Sequence, residues 1–453
     1  MENSKEEKNR KYNQNLYKIY KMVSWDLLFY YAISFLFLTQ EKGFSTSQII
    51  FADAFYPLFK LTFQIPSTIL IQKLGKKNSL ILANLSIVAY ILIVMGLSST
   101  LGYVIANIFC ALGYTIKGIA ESNLLYDSIK NSENKRIIFS KIDGFSSSLY
   151  YYFDAITAIS SGFLFVVNPY IPMILCLSFT ILSVILSYKF KEITLTSNVS
   201  DQDEQAKNIS KNLPILEQFK FYIRDLRQAF KFIAKSKRLR SLIIFNAVFV
   251  SFVALMITFR RSLLTELNVP DEYFGIIFAI WGLIAGFASN SSARIQTSHG
   301  NHTLSFLGLS YCLSIVFAGL VAVLTELPPF LTYFLVLVLF TVHSVITGPY
   351  YTLIKQYLGS FSTSSMRTKI LSATLLVESI TRTIISFIIS YLTNNLSSAV
   401  STLLIGISFT IAIIVVLSYM KSRVGLKPTI LRKQGNNVQL FPCFFFNNKI
   451  SHH

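Results

Sequence analysis

The stretch Gln64-Ile-Pro-Ser-Thr-Ile-Leu-Ile-Gln-Lys-Leu-Gly-Lys-Lys-Asn78 ends one long apolar run, turns sharply, and starts the next at Ser79. Gly75 permits the turn, and Lys73, Lys76 and Lys77 place three positive charges within five residues. A short basic loop between two membrane spans is held on the cytoplasmic side. That reading fixes a frame for the remaining runs.

The composition requires such a frame. The chain has 453 residues, of which 53% are apolar and 14% charged, and a mean hydropathy of +0.53. Uncharged runs near 20 residues are long enough to cross a bilayer as helices. Twelve spans are expected, near 22–39, 47–71, 79–97, 103–127, 138–167, 170–189, 241–264, 273–293, 303–324, 330–352, 370–393 and 396–420. The formal charge of +19 sits in alternate loops and tails, not on a basic face, so nucleic acid is excluded as a partner.

The loops give the orientation. Those read as outer hold one basic residue, Lys42, against Glu41, Glu266, Asp271, Glu272 and Glu326. The segments read as inner hold the basic N-terminus, the Lys73–Lys77 turn, Lys130, Lys135 and Arg136, Arg294, Lys355 and Arg367, and the tail from Lys421. Both termini are therefore expected inside. The expected divisions are a cytoplasmic segment 1–21, a six-helix bundle 22–190, a central loop 191–240, a second bundle 241–420 and a tail 421–453. In the central loop, Thr194–Asn212 is polar and reads as disordered. Leu216, Phe219, Ile223, Leu226, Phe230 and Ile233 then line one helical face interleaved with Lys and Arg, which predicts an amphipathic helix on the inner leaflet. Phe441–Phe446 is too short to span and reads as an accessory membrane contact.

The six-plus-six division suggests a repeat. Ile71-Gln72 before Gly75 is echoed by Ile295-Gln296 before Gly300, and Lys141-Ile142 by Lys369-Ile370. Apart from Lys189 at the end of span six, spans three, six, nine and twelve carry no charged side chain, so they can face lipid, whereas spans that carry one should face protein or water. The period of three implies four three-helix units, each with its third helix outside.

Candidate site residues come from the intramembrane charges. Lys60, Asp154, His343 and Arg382 fall near the middle of their spans. Lys117 and Glu121, and Glu378 and Arg382, share helix faces one turn apart and read equally as neutralised pairs or as transport groups. Asp154 follows Tyr150-Tyr-Tyr-Phe153 with no opposite charge nearby in its helix, which makes it the first candidate for a proton-coupling carboxylate, with Glu121 second. A cross-helix ion pair of Asp154 with Lys60 or Arg382 is the alternative. His343 reads as a packed neutral imidazole before it reads as a cavity residue. The expected cavity residues are Asp26, Tyr30, Lys117, Glu121, His343 and Arg260. The expected interdomain or gating residues are Lys60, Gln72, Lys73, Gly75, Lys76, Lys77, Asp127, Glu378 and Arg382. Cys110, Cys176 and Cys312 read as small packing residues, and no metal-ligand spacing appears. No GxxxxGK[ST], HExxH or GxSxG is present, so neither ATP hydrolysis nor other enzyme chemistry is expected, and no cofactor.

Over residues 16–425 the sequence resembles the major facilitator superfamily, and within it bacterial drug exporters. The family's loop signature runs approximately G-x-x-x-D-[RK]-x-G-[RK]-[RK]. Thr68 takes the first Gly position and Gln72 the Asp position, while Lys73 and Gly75-Lys76-Lys77 match. Gln64-Ile-Pro-Ser-Thr68 resembles the E-I-P-T-G of many exporters, and Glu121–Asp127 resembles the acidic end of their fourth span. The resemblance implies two six-helix bundles rocking about a cavity lined by spans one, four, seven and ten. It implies spans two, five, eight and eleven at the seam, and three, six, nine and twelve outside. An all-α monomer in the plasma (inner) membrane, working by alternating access coupled to protons, is expected. The aromatic-rich interior (Trp25, Phe29, Tyr30, Tyr31, Tyr114, Tyr150–Tyr152) with a few carboxylates suggests export of an amphipathic compound. An importer of a small polar or anionic nutrient and a non-transporting sensor on the same fold are the rival readings.

Overall fold

The computed structural model describes residues 2–130, 135–193, 215–289, 291–324, 328–360 and 367–423. The expected disorder of Thr194–Asn212 and the membrane contact of Phe441–Phe446 lie outside these residues. The described chain is helical: α1 Glu2–Ser24, α2 Ser34–Leu36 running into a π-turn Phe37–Glu41, α3 Thr46–Asp53, α4 Phe55–Leu74, α5 Lys76–Gly96, α6 Thr100–Asp127, α7 Lys135–Val167 and α8 Tyr170–Lys189. Then follow α9 Ile215–Lys235, α10 Lys237–Glu266, α11 Asp271–Ser289, α12 Ser292–His299, α13 Thr303–Val323, α14 Pro329–Ser360, α15 Arg367–Thr393 and α16 Ser398–Arg423. Ten of the described helices are long and apolar enough to cross a membrane: α5 to α8, α10, α11 and α13 to α16.

The first two expected spans are built differently from the rest. Residues 22–39 do not form one helix. The chain leaves α1 at Ser24, passes through turns over 25–33, and becomes helical again at Ser34. Phe29 there has φ +65°, a left-handed conformation that costs a bulky residue about 1–2 kcal/mol. Irregular backbone at membrane depth survives only where protein or a cavity satisfies it. Here Asp26 accepts from the Leu27 N–H at 2.8 Å and from the Tyr114 hydroxyl at 2.7 Å. The second expected span, 47–71, divides at Ala54 into α3 and α4. Its carbonyls are held by side chains, Asn107 Nδ2 on Ala52 O at 3.1 Å and Thr383 Oγ1 on Ala54 O at 3.0 Å.

The polar segment before residue 22 is helical. It is the body of α1, and its buried stripe Asn13, Leu16, Tyr17, Tyr20 and Ser24 packs on α7 and α8. Below it, Asn13 Nδ2 donates to Lys191 O at 2.7 Å and Gln14 Nε2 to Ser128 O at 2.7 Å.

Packing separates the chain into two helical halves. α4, α5, α6 and α8 pack together in one, and α10, α13, α14, α15 and α16 in the other. They meet along two lines, α7 on α11 and α15 on α3 and α4. This is the placement expected for spans two, five, eight and eleven. The α7–α11 line is held close by Gly162 and Gly275, where a Cβ on Gly162 would strike Glu272 O and one on Gly275 would strike Ala158 O. α5, α8, α13 and α16 lie outside and expose Leu92, Ile181, Phe317 and Ile411, as the charge-free spans require. The two glycines of the sequence echo occupy equivalent helix junctions, Gly75 at φ +80° and Gly300 at φ +50°.

The amphipathic stretch in the central loop is helical, as α9, and its apolar face is divided between packing and exposure. Ala229 and Ile233 are buried while Ile223 and Phe230 are exposed. α9 docks on α15, and Lys369 Nζ reaches Asp225 Oδ1 at 2.7 Å and Gln228 Oε1 at 2.9 Å.

Candidate functional site: a cavity between the halves

The broken first span opens onto a cavity of about 560 Å³. Six tyrosines line it: Tyr30, Tyr31, Tyr56, Tyr90, Tyr103 and Tyr114. Three carboxylates (Asp26, Asp53, Glu121) and four cations (Lys21, Lys117, Arg261, Arg382) share the wall. Several hydroxyls are committed to neighbouring groups. Tyr103 donates to Asp53 Oδ1 at 2.9 Å, and Tyr90 to the Tyr30 hydroxyl oxygen at 3.1 Å. The cavity is thus aromatic and polar at once, and it carries both signs of charge.

Its two ends differ. At the end away from the chain termini, hydrogen bonds tie the halves together. Thr46 and Ser262 share a hydroxyl bond at 2.7 Å, Ser47 donates to Asn394 Oδ1 at 2.7 Å, and Ser390 donates to Ser47 O at 2.7 Å. Gln40 Nε2 donates to Asp271 Oδ2 at 3.0 Å. Arg261 adds two more, from Nη1 to Ser34 Oγ at 2.9 Å and from Nη2 to Tyr31 O at 2.8 Å. Its guanidinium lies over the rings of Tyr31 and Phe278, at 4.8 and 4.9 Å. Toward the termini end the lining reaches Gly118 and Ser122, which are exposed.

Asp26, Tyr30, Lys117 and Glu121 line the cavity. Arg260 and His343 do not. Arg260 turns away and lies over Trp281 at 4.9 Å, and its neighbour Arg261 takes the cavity position. His343 is wholly buried against Tyr311, with ring centroids 4.2 Å apart, and neither ring nitrogen has a hydrogen-bond partner among the described residues. Span ten therefore contributes nothing to the described lining, while spans two and eleven contribute Asp53, Tyr56 and Arg382.

The two helical pairs are separated. No contact ion pair joins Lys117 to Glu121, or Glu378 to Arg382, among the described residues; Glu378 instead accepts from Asn246, whose Oδ1 accepts from the Tyr350 hydroxyl at 2.8 Å. Asp154 is half-buried on α7 with the Tyr150 hydroxyl as its hydrogen-bond partner and Asp26 as its charged neighbour. It makes no ion pair with Lys60 or Arg382, which is the correction to the cross-helix alternative. Lys60 is exposed on α4.

At the turn, Gln72 and Lys73 are exposed. Lys76 pairs with Asp127, Lys77 lies over the Tyr188 ring at 4.6 Å, and Arg10 Nη1 donates to Asp127 O at 2.6 Å. The acidic end of α6 is thereby tied to both the basic turn and α1.

Two residues absent from the expected site belong beside it. Tyr17 places its hydroxyl between two carboxylates, Glu121 Oε1 at 3.1 Å and Asp143 Oδ1 at 2.7 Å. Lys21 pairs with Asp143 and sits over Trp25 at 4.3 Å. The buried stripe of α1 recurs at three- and four-residue steps, a pattern its high polarity conceals.

The Major Facilitator Superfamily profile matches residues 22–379. The chain belongs to that superfamily. Solved structures agree in fold. The chain is similar to a point mutant of the nucleoside transporter NupG at 10% identity and TM-score 0.67, covering 90% of this chain and 99% of that one. It is similar to a POT family transporter in complex with 5-aminolevulinic acid at 12% identity and TM-score 0.59, covering 91% and 95%. It is similar to a D-xylose-proton symporter at 13% identity and TM-score 0.58, covering 93% and 98%. No curated protein matches the sequence significantly. This superfamily member is a multi-pass membrane transporter and not an enzyme.

Proposed function

We propose that the chain exports a small amphipathic organic compound in exchange for protons, by alternating access, as a monomer in the plasma membrane with both termini cytoplasmic. The observation that carries the reading is the cavity between the halves, tied shut at one end through Arg261 and lined by tyrosines with carboxylates among them. Aromatic faces bind apolar and cationic groups, and buried carboxylates both pair with cations and exchange protons. The cytoplasmic placement of the termini rests on the basic loops. In that placement the conformation faces inward, ready to load. Asp127, with Lys76 and the basic turn, is the inner gate. Glu121, which lines the cavity, ranks above Asp154 as the proton carrier. Expression in a pump-deficient bacterial host tests this. Tolerance to cationic amphipathic compounds should rise, and Glu121→Gln should abolish the gain; equal tolerance with and without the chain rejects export.

A second reading is favoured by Arg261 and Arg382 facing the same cavity. These cations suit an anionic nutrient brought inward. Uptake of a labelled organic anion that is lost in Arg382→Ala would establish it over export.

A further inference from the structure

We infer that Glu121 holds a proton in this conformation and exchanges it with the termini side through the Tyr17 hydroxyl and Asp143. The inference rests on the proton-coupled reading and names the route within it. A phenol has one hydrogen to donate. Tyr17 nevertheless has a carboxylate oxygen on each side, Glu121 Oε1 at 3.1 Å and Asp143 Oδ1 at 2.7 Å. It can donate to one of them only. Asp143 is paired with the Lys21 ammonium, which holds it ionised and leaves it able only to accept. The shorter contact is therefore Tyr17 donating to Asp143. The contact with Glu121 is a hydrogen bond only if Glu121 supplies the hydrogen, so Glu121 is a carboxylic acid.

The surroundings support that state. The charged and titratable groups facing Glu121 are Lys117 on its own helix, Tyr17, Tyr20 and Lys21 on α1, and Asp143 on α7. Lys21 is taken by Asp143, and Lys117 makes no contact ion pair with Glu121 among the described residues. The Tyr20 oxygen accepts from Asn84 Nδ2 at 3.0 Å. Glu121 is left with Tyr17 as its hydrogen-bond partner among the described residues.

The step balances without any other reagent. The Glu121 O–H bond breaks as its proton joins the Tyr17 oxygen, and the proton already on Tyr17 passes to Asp143 Oδ1. Tyr17 ends unchanged, Glu121 is a carboxylate facing the cavity, and Asp143, whose side chain is 34% exposed, releases the proton to water. Tyr17 is a relay and Lys21 a positioning residue, and both lie on the helix that precedes the first apolar run.

Infrared spectroscopy of the full chain in detergent at neutral pH tests this without a substrate. The difference spectrum between wild type and Glu121→Gln should show one un-ionised carboxyl band lost; no lost band overturns the inference. Tyr17→Phe keeps the ring and removes the relay. It should shift that band to higher frequency and slow its exchange in heavy water at least ten-fold. Asp143→Asn should slow exchange likewise, and Asp143→Glu should restore it. Unchanged frequency and exchange in Tyr17→Phe overturn the relay. Efflux of ethidium that ignores a pH gradient, with the carboxyl band present, refutes the coupled-export reading and leaves the protonated Glu121 standing.

Discussion

Arg261 in α10 donates to the backbone carbonyl of Tyr31 at 2.8 Å, so a side chain of one half holds the unwound backbone of the other. The same guanidinium reaches Ser34 at 2.9 Å, on the far side of the break. The end of the cavity away from the termini is closed, in part, on this one fork. Charge-assisted hydrogen bonds contribute about 1.5–3 kcal/mol each, and lysine cannot reproduce the fork.

Arg261→Ala and Arg261→Lys should both loosen that seal. Cys110 lines the cavity and reports on it. In a chain whose other cysteines are replaced by serine, an impermeant maleimide added from outside should label Cys110 at least ten-fold faster in Arg261→Ala. Equal labelling would remove Arg261 from the gate.

The α7–α11 contact should tolerate no added methyl at Gly275, because the new Cβ meets the Ala158 carbonyl. Overpacking of this kind costs about 1–3 kcal/mol. Gly282→Ala on the same helix is the control. Its Cβ meets nothing within 4 Å, and alanine there should be neutral or stabilise by up to about 1 kcal/mol. Thermal unfolding in detergent should lower the midpoint for Gly275→Ala and leave Gly282→Ala at or above wild type.

The two candidate carriers separate by position. Glu121 lines the cavity, whereas Asp154 lies on α7 beside Tyr150. Glu121→Gln should reduce efflux driven by a pH gradient at least ten-fold in proteoliposomes. Asp154→Asn should reduce it less than three-fold. The reverse order would return the coupling role to Asp154.

Lys76 and Asp127 are paired across the termini end, with side chains 32% and 13% exposed. Asp127 is mostly buried, so Lys76→Ala leaves its carboxylate without this cation and should lower the melting midpoint. Gln72→Asp adds a second carboxylate beside the same lysines and should slow flux three- to ten-fold by holding the inner gate shut. Unchanged flux in Gln72→Asp leaves the turn as a signal of orientation only.

Much of the architecture was legible because it follows from cost. A charge facing lipid is expensive, so a charge-free span can lie outside, as α5, α8, α13 and α16 do; span eight, 273–293, is equally free of charge and yet lies at the seam as α11. The seam followed from the resemblance, and Gly162 and Gly275 show its physical basis. The cavity wall was less legible. Arg260 and Arg261 are adjacent and lie about 100° apart around a helix, so nothing local says which one faces inward. The break at 25–33 reads as an apolar run because the groups that sustain it, Tyr114 and Arg261, come from distant parts of the chain. Glu378 and Arg382 have the right spacing for a pair, yet Asn246 on another helix takes the carboxylate.

The helix α1 has a practical consequence. Hydropathy places the transporter's working parts after residue 22, and an engineer would trim or tag the stretch before it freely. Yet Lys21 is part of the cavity wall, and Tyr17 touches Glu121. A fusion partner or deletion at the amino terminus of this protein is thus a change to the wall of that cavity.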